Sequence, residues 1–309
     1  MRAAVVHEPG GPDVLRVEEI PTPEPRPGWV GVRVRAFGLN RSELGTRAGE
    51  SGAAVKFPRV LGIECVGELA DGQTVVAAMG GMGREFDGGY AEYALLPETH
   101  VIPVETSLSW PQLGAIPESF GTAWGSLDLL ELEAGQSLLV RGGSSSVGMA
   151  AITIAKDRGI TVFATTRQAS KQAALEAAGS DHVLIDDGEV GERVQVDGLF
   201  ELVGPRTIFD SLKAVRPGGR ACISGFLELD WNIEPAHAEA ERLGVPLSNF
   251  QSRVIDDAGW RGIFQDIVER VQDGRYHDIL DRTFPLAEIA NAHRYMEENR
   301  AAGKVVGLP

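Results

Sequence analysis

The stretch VRGGSSSVGMAAITIAK, residues 140–156, restricts this chain's possible folds more than any other. A strand-like end meets two glycines, three serines and one more glycine, and an Ala- and Ile-rich run follows. Gly143, Ser145 and Gly148 give G-x-S-x-x-G, one serine away from the G-x-G-x-x-G of a dinucleotide-binding turn. SLLV before it reads as a strand, Val147 onward as a helix with Val147, Ala151 and Ile154 on one face, and a new strand begins at Thr161. In such a unit the first glycine permits the tight turn, the middle position lets backbone approach a pyrophosphate, and the last lets helix and strand pack closely. The helix start adds unpaired N–H groups and a positive dipole end. Gly143, Ser144, Ser145, Ser146, Val147 and Gly148 are therefore the expected phosphate contacts, with the Ser145 hydroxyl as a further donor. An unliganded small-residue turn is the alternative.

The surroundings favour the nucleotide turn. QSLLVRG, GITVFATT, SDHVLIDD, GLFELVG and GRACISG are strand candidates, and helical stretches fill three of the four gaps between them. That alternation is the grammar of a doubly wound parallel sheet. An NAD-binding chain would carry an acid at the end of the second strand, about 20 residues beyond the first glycine. Here Ala164, Thr165 and Thr166 stand there, and Arg167, Ser170 and Lys171 follow. Cations and hydroxyls suit a 2′-phosphate, so NADPH is the expected coenzyme, held by Thr165, Thr166, Arg167 and Lys171. Surface residues at a helix start are the plain alternative for the two cations.

Residues 1 to about 110 follow another rhythm. In WVGVRVRAFGLN, Val30, Val32 and Val34 face one way and Gly31, Arg33 and Arg35 the other, the period of a half-buried strand. LGIECVGELADGQTVVAAM reads as two strands about a DG turn and GGYAEYALLP as another, with proline-rich breaks between, so this part is a mostly β domain. The tail reads as helix GWRGIFQDIVERVQDG, a strand near HDILDRTFP, helix LAEIANAHRYMEENR and a last strand GKVVGLP. His293 falls on the apolar spacing of the second helix, a core-facing position. The acidic run DDGEVGE from residue 186 reads as a solvated loop or helix start.

Forty-four acids against 29 Lys and Arg give a formal charge of −15, which disfavours nucleic acid and anionic membranes. The first residues carry no apolar leader and no run of 18 apolar residues exists, so a cytoplasmic protein is expected. Cys65 and Cys222 lie in apolar contexts as small buried hydrophobes, and the six histidines show no metal-ligand spacing.

Taken in order, AAVVHEPGGPDVLRVEEIPTPEPRPGWVGVRVRAFGLN, LGIECVG, DGGYAEYALLP, AIPESFGTAWGSL, the glycine turn and FPLAEIANAHRYMEENRAAGKVV resemble the medium-chain dehydrogenase/reductase superfamily, in its zinc-independent quinone oxidoreductase branch. The likeness spans nearly the whole chain. It implies an α/β fold of two domains: a GroES-like β-rich catalytic domain from both chain ends, 1–113 and 259–309, and a Rossmann NADP-binding domain, 114–258. It also implies a coenzyme in the cleft between them and a homodimer.

Zinc-dependent relatives place a ligand Cys in the segment matching AFGLNRSE and a His in that matching LGIECVG. Asn40 and Ile63 stand at those positions, and the four-cysteine structural lobe is missing, so no metal is expected. Glu64 then reads as a structural partner for a buried polar group or a coenzyme-side contact. Without a Lewis acid to hold an alkoxide, reduction of a quinone or activated double bond is the less demanding chemistry. The resemblance casts Asn40 as a donor near the acceptor oxygen or nicotinamide amide, Thr122 as a positioner of nicotinamide or substrate, and Lys304 as a phosphate contact, with a charged strand edge as its plain reading. Classical quinone reductases carry a Tyr where Gly45 stands, so the classical substrate set does not transfer. Arg41, Tyr90 and Trp124 are candidates for reshaping the pocket, or for rim charge and packing. The expected activity is NADPH-dependent reduction of quinones or α,β-unsaturated carbonyls. An enoyl thioester or alkenal reductase and a non-catalytic NADPH-binding protein are the alternatives.

Overall fold

The computed structural model describes residues 1–51, 55–226 and 232–309. These form two compact units. The first comprises Met1–Gly121, Ser252–Asp273 and Leu280–Pro309, and the second Thr122–Gln251 and Gly274–Ile279. The chain crosses between units at 121/122 where the resemblance places 113/114 and at 251/252 where it places 258/259, and residues 274–279, inside the expected 259–309 segment, belong to the second unit. Helix Pro117–Leu130 explains the first shift, because the N–H of Glu118 in its opening turn donates to Glu64 Oε2 of the first unit at 2.8 Å. Ser252 Oγ donates to Glu118 Oε1 at 2.7 Å, which carries the second boundary back to that residue.

In the first unit a seven-stranded sheet runs in the order Leu280–Pro285, Lys304–Leu308, Trp29–Gly38, Glu64–Glu68, Thr74–Ala78 and Val101–Pro103, with Tyr93–Pro97 also paired to Trp29–Gly38. A smaller sheet joins Leu15–Glu19, Arg2–Val6 and Arg59–Val60. Along Trp29–Gly38 the valines at 32 and 34 are buried while Arg33 is exposed, as the alternation predicts. Val32, Phe37, Leu61, Cys65, Ala77, Tyr90, Leu96 and Val305 belong to one apolar core. Both cysteines are buried and free, and burial pushes the Cys65 thiol up to about 12.

The returning tail places chemistry. Lys304–Leu308 runs antiparallel to Trp29–Gly38 with Val306 opposite Gly38, and Leu39 N–H donates to Val305 O at 2.9 Å. Continued along the strands, that register brings Lys304 to the level of Asn40. On the other side Ala36 lies opposite Val66, which brings Gly38 to the level of Glu64.

In the second unit six parallel strands take the order His182–Ile185, Thr161–Thr166, Ser137–Arg141, Val196–Glu201, Val215–Ile223 and Leu247–Asn249. Counted along the chain this is 3-2-1-4-5-6, the doubly wound order whose direction reverses between the first and fourth strands. The short sixth strand, with only three residues, leaves no usable periodicity in the sequence. Helix Ser146–Asp157 follows the first strand directly and buries Met149, Ala150, Ala151, Ile152 and Ile154.

Candidate active site

Two buried carboxylates organise the first unit. Glu64 lies wholly inside, with Oε1 2.5 Å from Lys304 Nζ, itself fully buried. The same Oε1 accepts from Asn40 Nδ2 at 2.8 Å, and Lys304 Nζ donates to Asn40 Oδ1 at 2.7 Å. Glu64 Oε2 accepts from the Glu118 N–H. Gly38 creates the room: a Cβ there would fall 2.2 Å from Glu64 Oε1 and 2.4 Å from Lys304 Cε. Glu64 is thus the partner of a buried polar group, the first of its two readings. Lys304 requires a correction. Its ammonium is held in the interior by Glu64 and Asn40, so it is no exposed strand edge, and reaching a phosphate would abandon a buried carboxylate, which is strongly unfavourable.

The second carboxylate is Glu43, on helix Arg41–Ala48, whose N-cap is Asn40. Glu43 Oε2 accepts from the Asn40 N–H at 2.7 Å and Oε1 from the Ile63 N–H at 2.7 Å, so one side chain fixes the backbone at both positions. Tyr90 Oη donates to Glu43 Oε2 at 2.5 Å. Behind it His293 Nε2 lies 3.1 Å from Tyr90 Oη, and Nδ1 lies 3.1 Å from Arg47 NH1. A guanidinium can only donate, so Nδ1 accepts and the neutral ring carries its hydrogen on Nε2. The bonds therefore run in one direction, from Arg47 through His293 and Tyr90 to Glu43. Burial raises the Glu43 carboxyl to about 7, against the pull of its hydrogen bonds. Burial, with the Arg47 charge beside it, lowers His293 to about 3. Tyr90 is raised well above the ordinary phenol range, first by burial and then by Glu43.

His293 is core-facing, as its spacing predicts, but the core it faces is polar. Asn-x-x-Glu at residues 40–43 is a helix-start signal that points to Glu43; nothing local in the sequence points to its partnership with Tyr90 or His293. Of the proposed pocket residues, Arg41 donates to Asn299 Oδ1 at 2.6 Å and Met296 O at 3.2 Å, and Tyr90 is entirely buried. Gly45 is buried within its helix. Among the described residues, no three His, Cys, Asp or Glu side chains gather as metal ligands.

The second unit presents the glycine turn at the reversal point of its sheet. Gly142 adopts φ +83°, a left-handed conformation suited to glycine. A Cβ on Gly143 would meet Ala164 Cβ at 2.9 Å, and one on Gly148 would meet Gly142 O at 2.6 Å and Gly143 Cα at 2.7 Å. These close approaches are the ones a dinucleotide turn requires. The N–H groups of Ser146 and Val147 open the helix with no partner among the described residues, so the cradle fits an anionic pyrophosphate. Ser144–Val147 are half-buried around it.

Ser145 needs a second correction. Its hydroxyl donates to Gly142 O at 2.8 Å and accepts from Gly148 N–H at 3.1 Å, so it caps the helix and its one hydrogen is committed. Thr165 Oγ1 accepts from Gly142 N–H at 3.0 Å, and Thr166 Oγ1 from Gln168 N–H at 3.2 Å, so both support the backbone beside the turn. Arg167 is exposed directly after the second strand, and Lys171 closes the short helix Ala169–Lys171. Thr122 is buried in helix Pro117–Leu130, and Trp124 lies with Arg158 5.7 Å from its ring centre.

Beneath the turn lies a group with no local signal in the sequence. Arg141, the last residue of the first strand, is fully buried and binds Asp186 through Nε and NH2 at 2.5 and 2.7 Å and Asp210 through NH1 at 2.7 Å. Asp186 is therefore no solvated loop residue. Glu201, at the end of the fourth strand, accepts from Val203 and Gly204 N–H and from Ser211 Oγ. Together these groups tie the strand ends that carry the turn.

A family model described as "Alcohol dehydrogenase GroES-like domain" matches residues 26–106, and one described as "Zinc-binding dehydrogenase" matches residues 178–306. Quinone oxidoreductase of Rattus norvegicus is 28% identical over 329 residues, covering 100% of this chain and 98% of that protein. The chain belongs to the medium-chain dehydrogenase/reductase superfamily, in its quinone oxidoreductase-like branch. Among solved structures, the quinone oxidoreductase from Coxiella burnetii superposes with a TM-score of 0.89 at 24% identity, covering 100% of this chain and 99% of that one, a likeness of fold. Acryloyl-coenzyme A reductase of Metallosphaera sedula is 25% identical over 341 residues, covering 99% of each chain. The polyketide synthase GfsB of Streptomyces halstedii is 30% identical over 287 residues; the match takes in 90% of this chain but only 5% of that protein.

Proposed function

We propose that this protein is an NADPH-dependent reductase that reduces quinones or α,β-unsaturated carbonyl compounds by hydride transfer without a catalytic metal. The observation that carries the reading is Asn40, a half-buried amide held by Glu64 and Lys304 at the position of a ligand cysteine in zinc-dependent relatives. A neutral donor there suits charge that spreads over a conjugated acceptor. The reduced dinucleotide, when bound, supplies the hydride. Ser146 and Val147 N–H groups receive its pyrophosphate, Arg167 and Lys171 its 2′-phosphate, and Gly143 and Gly148 keep the backbone close enough for both. Thr122 positions the nicotinamide or the acceptor, Asn40 donates to the acceptor oxygen, and solvent supplies the product's proton.

NADPH deuterated at C4 should pass deuterium to the β-carbon of an enone, and NADPH should be consumed with a simple quinone. Tight NADPH binding with no turnover across quinones, enones and enoyl thioesters would instead mark a coenzyme-binding protein without this activity. The full-length likeness to acryloyl-coenzyme A reductase favours enoyl thioesters as a second reading, which turnover of an enoyl thioester but not of a plain quinone would support.

A further inference from the structure

The Asn40 amide has two neighbours of fixed polarity. The Lys304 ammonium can only donate, so the atom 2.7 Å from it is the amide oxygen. Glu64, paired with that ammonium, accepts, so the atom 2.8 Å from its Oε1 is the amide nitrogen. The two ends of an asparagine amide are told apart by their hydrogen-bond partners, and here the two partners exclude the flipped form, which would face donor with donor and acceptor with acceptor. One Nδ2 hydrogen is spent on Glu64 and the other remains on a side chain half open to its surroundings. Glu43 adds a third constraint by holding the Asn40 N–H, so backbone and side chain are fixed from separate buried carboxylates.

We infer that Lys304 and Glu64 are positioning residues, which set the Asn40 amide with one Nδ2 hydrogen directed to the acceptor oxygen. The inference rests on the proposed reductase activity for its consequence, though not for its geometry. It gives Lys304, at the far end of the chain, a part in the reaction through Asn40. Two donors of equal number but wrong aim are not equivalent, because stabilisation of developing charge depends on a donor already in place.

The full-length protein supplies the test. Lys304→Met alone leaves the Glu64 charge buried and unpaired, and its loss of activity would be mixed with loss of fold. Lys304→Met combined with Glu64→Gln removes both charges, and replacing a buried pair by neutral groups is often close to neutral for stability. Met offers the amide nothing and Gln offers either a donor or an acceptor, so the orientation of Asn40 is no longer dictated. The double variant should regain the melting temperature lost by Lys304→Met while kcat on an enone stays about tenfold or more below the unsubstituted protein, with the NADPH dissociation constant changed less than about twofold. In an Asn40→Ala background the same pair of substitutions should lower kcat no further. Recovery of kcat together with the melting temperature would overturn the inference, as would an equal loss in the Asn40→Ala background.

A measurement without coenzyme separates failure of this idea from failure of the reductase reading. In the free protein the two side-chain amide hydrogens of Asn40, assigned by their loss in Asn40→Asp, should exchange with solvent at clearly different rates, the one on Glu64 more slowly. Equal rates in the unsubstituted protein would refute the positioning role even if turnover is high, and unequal rates that equalise in the double variant would sustain it even if no acceptor is reduced.

Discussion

Gly38 faces Glu64 across neighbouring strands so closely that a single methyl group would fall 2.2 Å from the Glu64 carboxylate oxygen. The buried pair of Glu64 with Lys304 therefore depends on a residue that takes no part in it. Gly38→Ala must push both side chains aside, and neither has solvent to move into. The expected cost is roughly 1–3 kcal/mol, the range for overpacking a filled interior. Chemical denaturation measures that loss, and kcat on an enone should fall with it because the partners of Asn40 have moved. A stable, fully active Gly38→Ala protein would mean that the ion pair readily takes another arrangement.

Coenzyme choice rests on a different feature. Residues 164–171 contain no acid, and Arg167 stands exposed at the strand end. A charge-assisted bond is worth about 1.5–3 kcal/mol, which corresponds to roughly tenfold or more in affinity. Titration should show NADPH bound more tightly than NADH, with the gap narrowing in Arg167→Ala through weaker NADPH binding. Equal affinities for the two coenzymes would remove Arg167 and Lys171 from the 2′-phosphate site.

The turn offers a sharper steric test. Atoms that a Cβ at Gly148 would meet belong to the backbone of Gly142 and Gly143, which cannot rotate away as a side chain can. Gly148→Ala should separate the helix start from the turn and weaken NADPH binding about tenfold or more, since the N–H groups of Ser146 and Val147 lose their aim. Gly135→Ala is a useful control, because a Cβ there meets nothing within 4 Å although the residue has positive φ. Its cost should be confined to stability, with NADPH affinity retained. Matching affinity losses in the two variants would make the Gly148 effect a general consequence of destabilisation.

The second unit was largely legible because its signals are local. Strand, glycine turn and helix follow one another from Ser137 to Asp157, and the period changes where the structure changes. What escaped were partnerships made by register. Lys304 and Asn40 are separated by 264 positions, and only antiparallel pairing of the last strand with Trp29–Gly38 brings them level. A lysine before a short apolar strand looks like an edge, and nothing nearby reveals the carboxylate that neutralises it. Arg141 was hidden for the same reason: it ends an apolar strand, while Asp186 and Asp210 arrive from other segments. His293 kept its helical spacing, but spacing reports burial and cannot report that the buried neighbours are Arg47 and Tyr90.

The directional chain from Arg47 to Glu43 makes a prediction about pH in which two groups oppose each other. Glu43 is raised from 4.5 to about 7, so between those values the folded protein keeps a proton that the unfolded chain releases. Its contribution to stability is fully present below pH 4.5 and is lost as pH rises through 7. His293 is lowered from 6.5 to about 3, so between those values the unfolded chain binds a proton that the folded ring refuses. That contribution is present above pH 6.5 and is lost as pH falls. From 4.5 to 6.5 the two slopes offset one another. Removing either group should expose the other: relative to the unsubstituted protein, His293→Gln should gain about 2–3 kcal/mol of stability on going from pH 6.5 to 4.5, and Glu43→Gln should lose a similar amount. Denaturant midpoints across this interval measure both, and taking differences from the unsubstituted protein cancels the other carboxylates. Difference curves of opposite sign are expected. Flat curves for both variants would show that neither group changes its proton affinity on folding, and the Arg47, His293, Tyr90 and Glu43 bonds would then act through geometry alone.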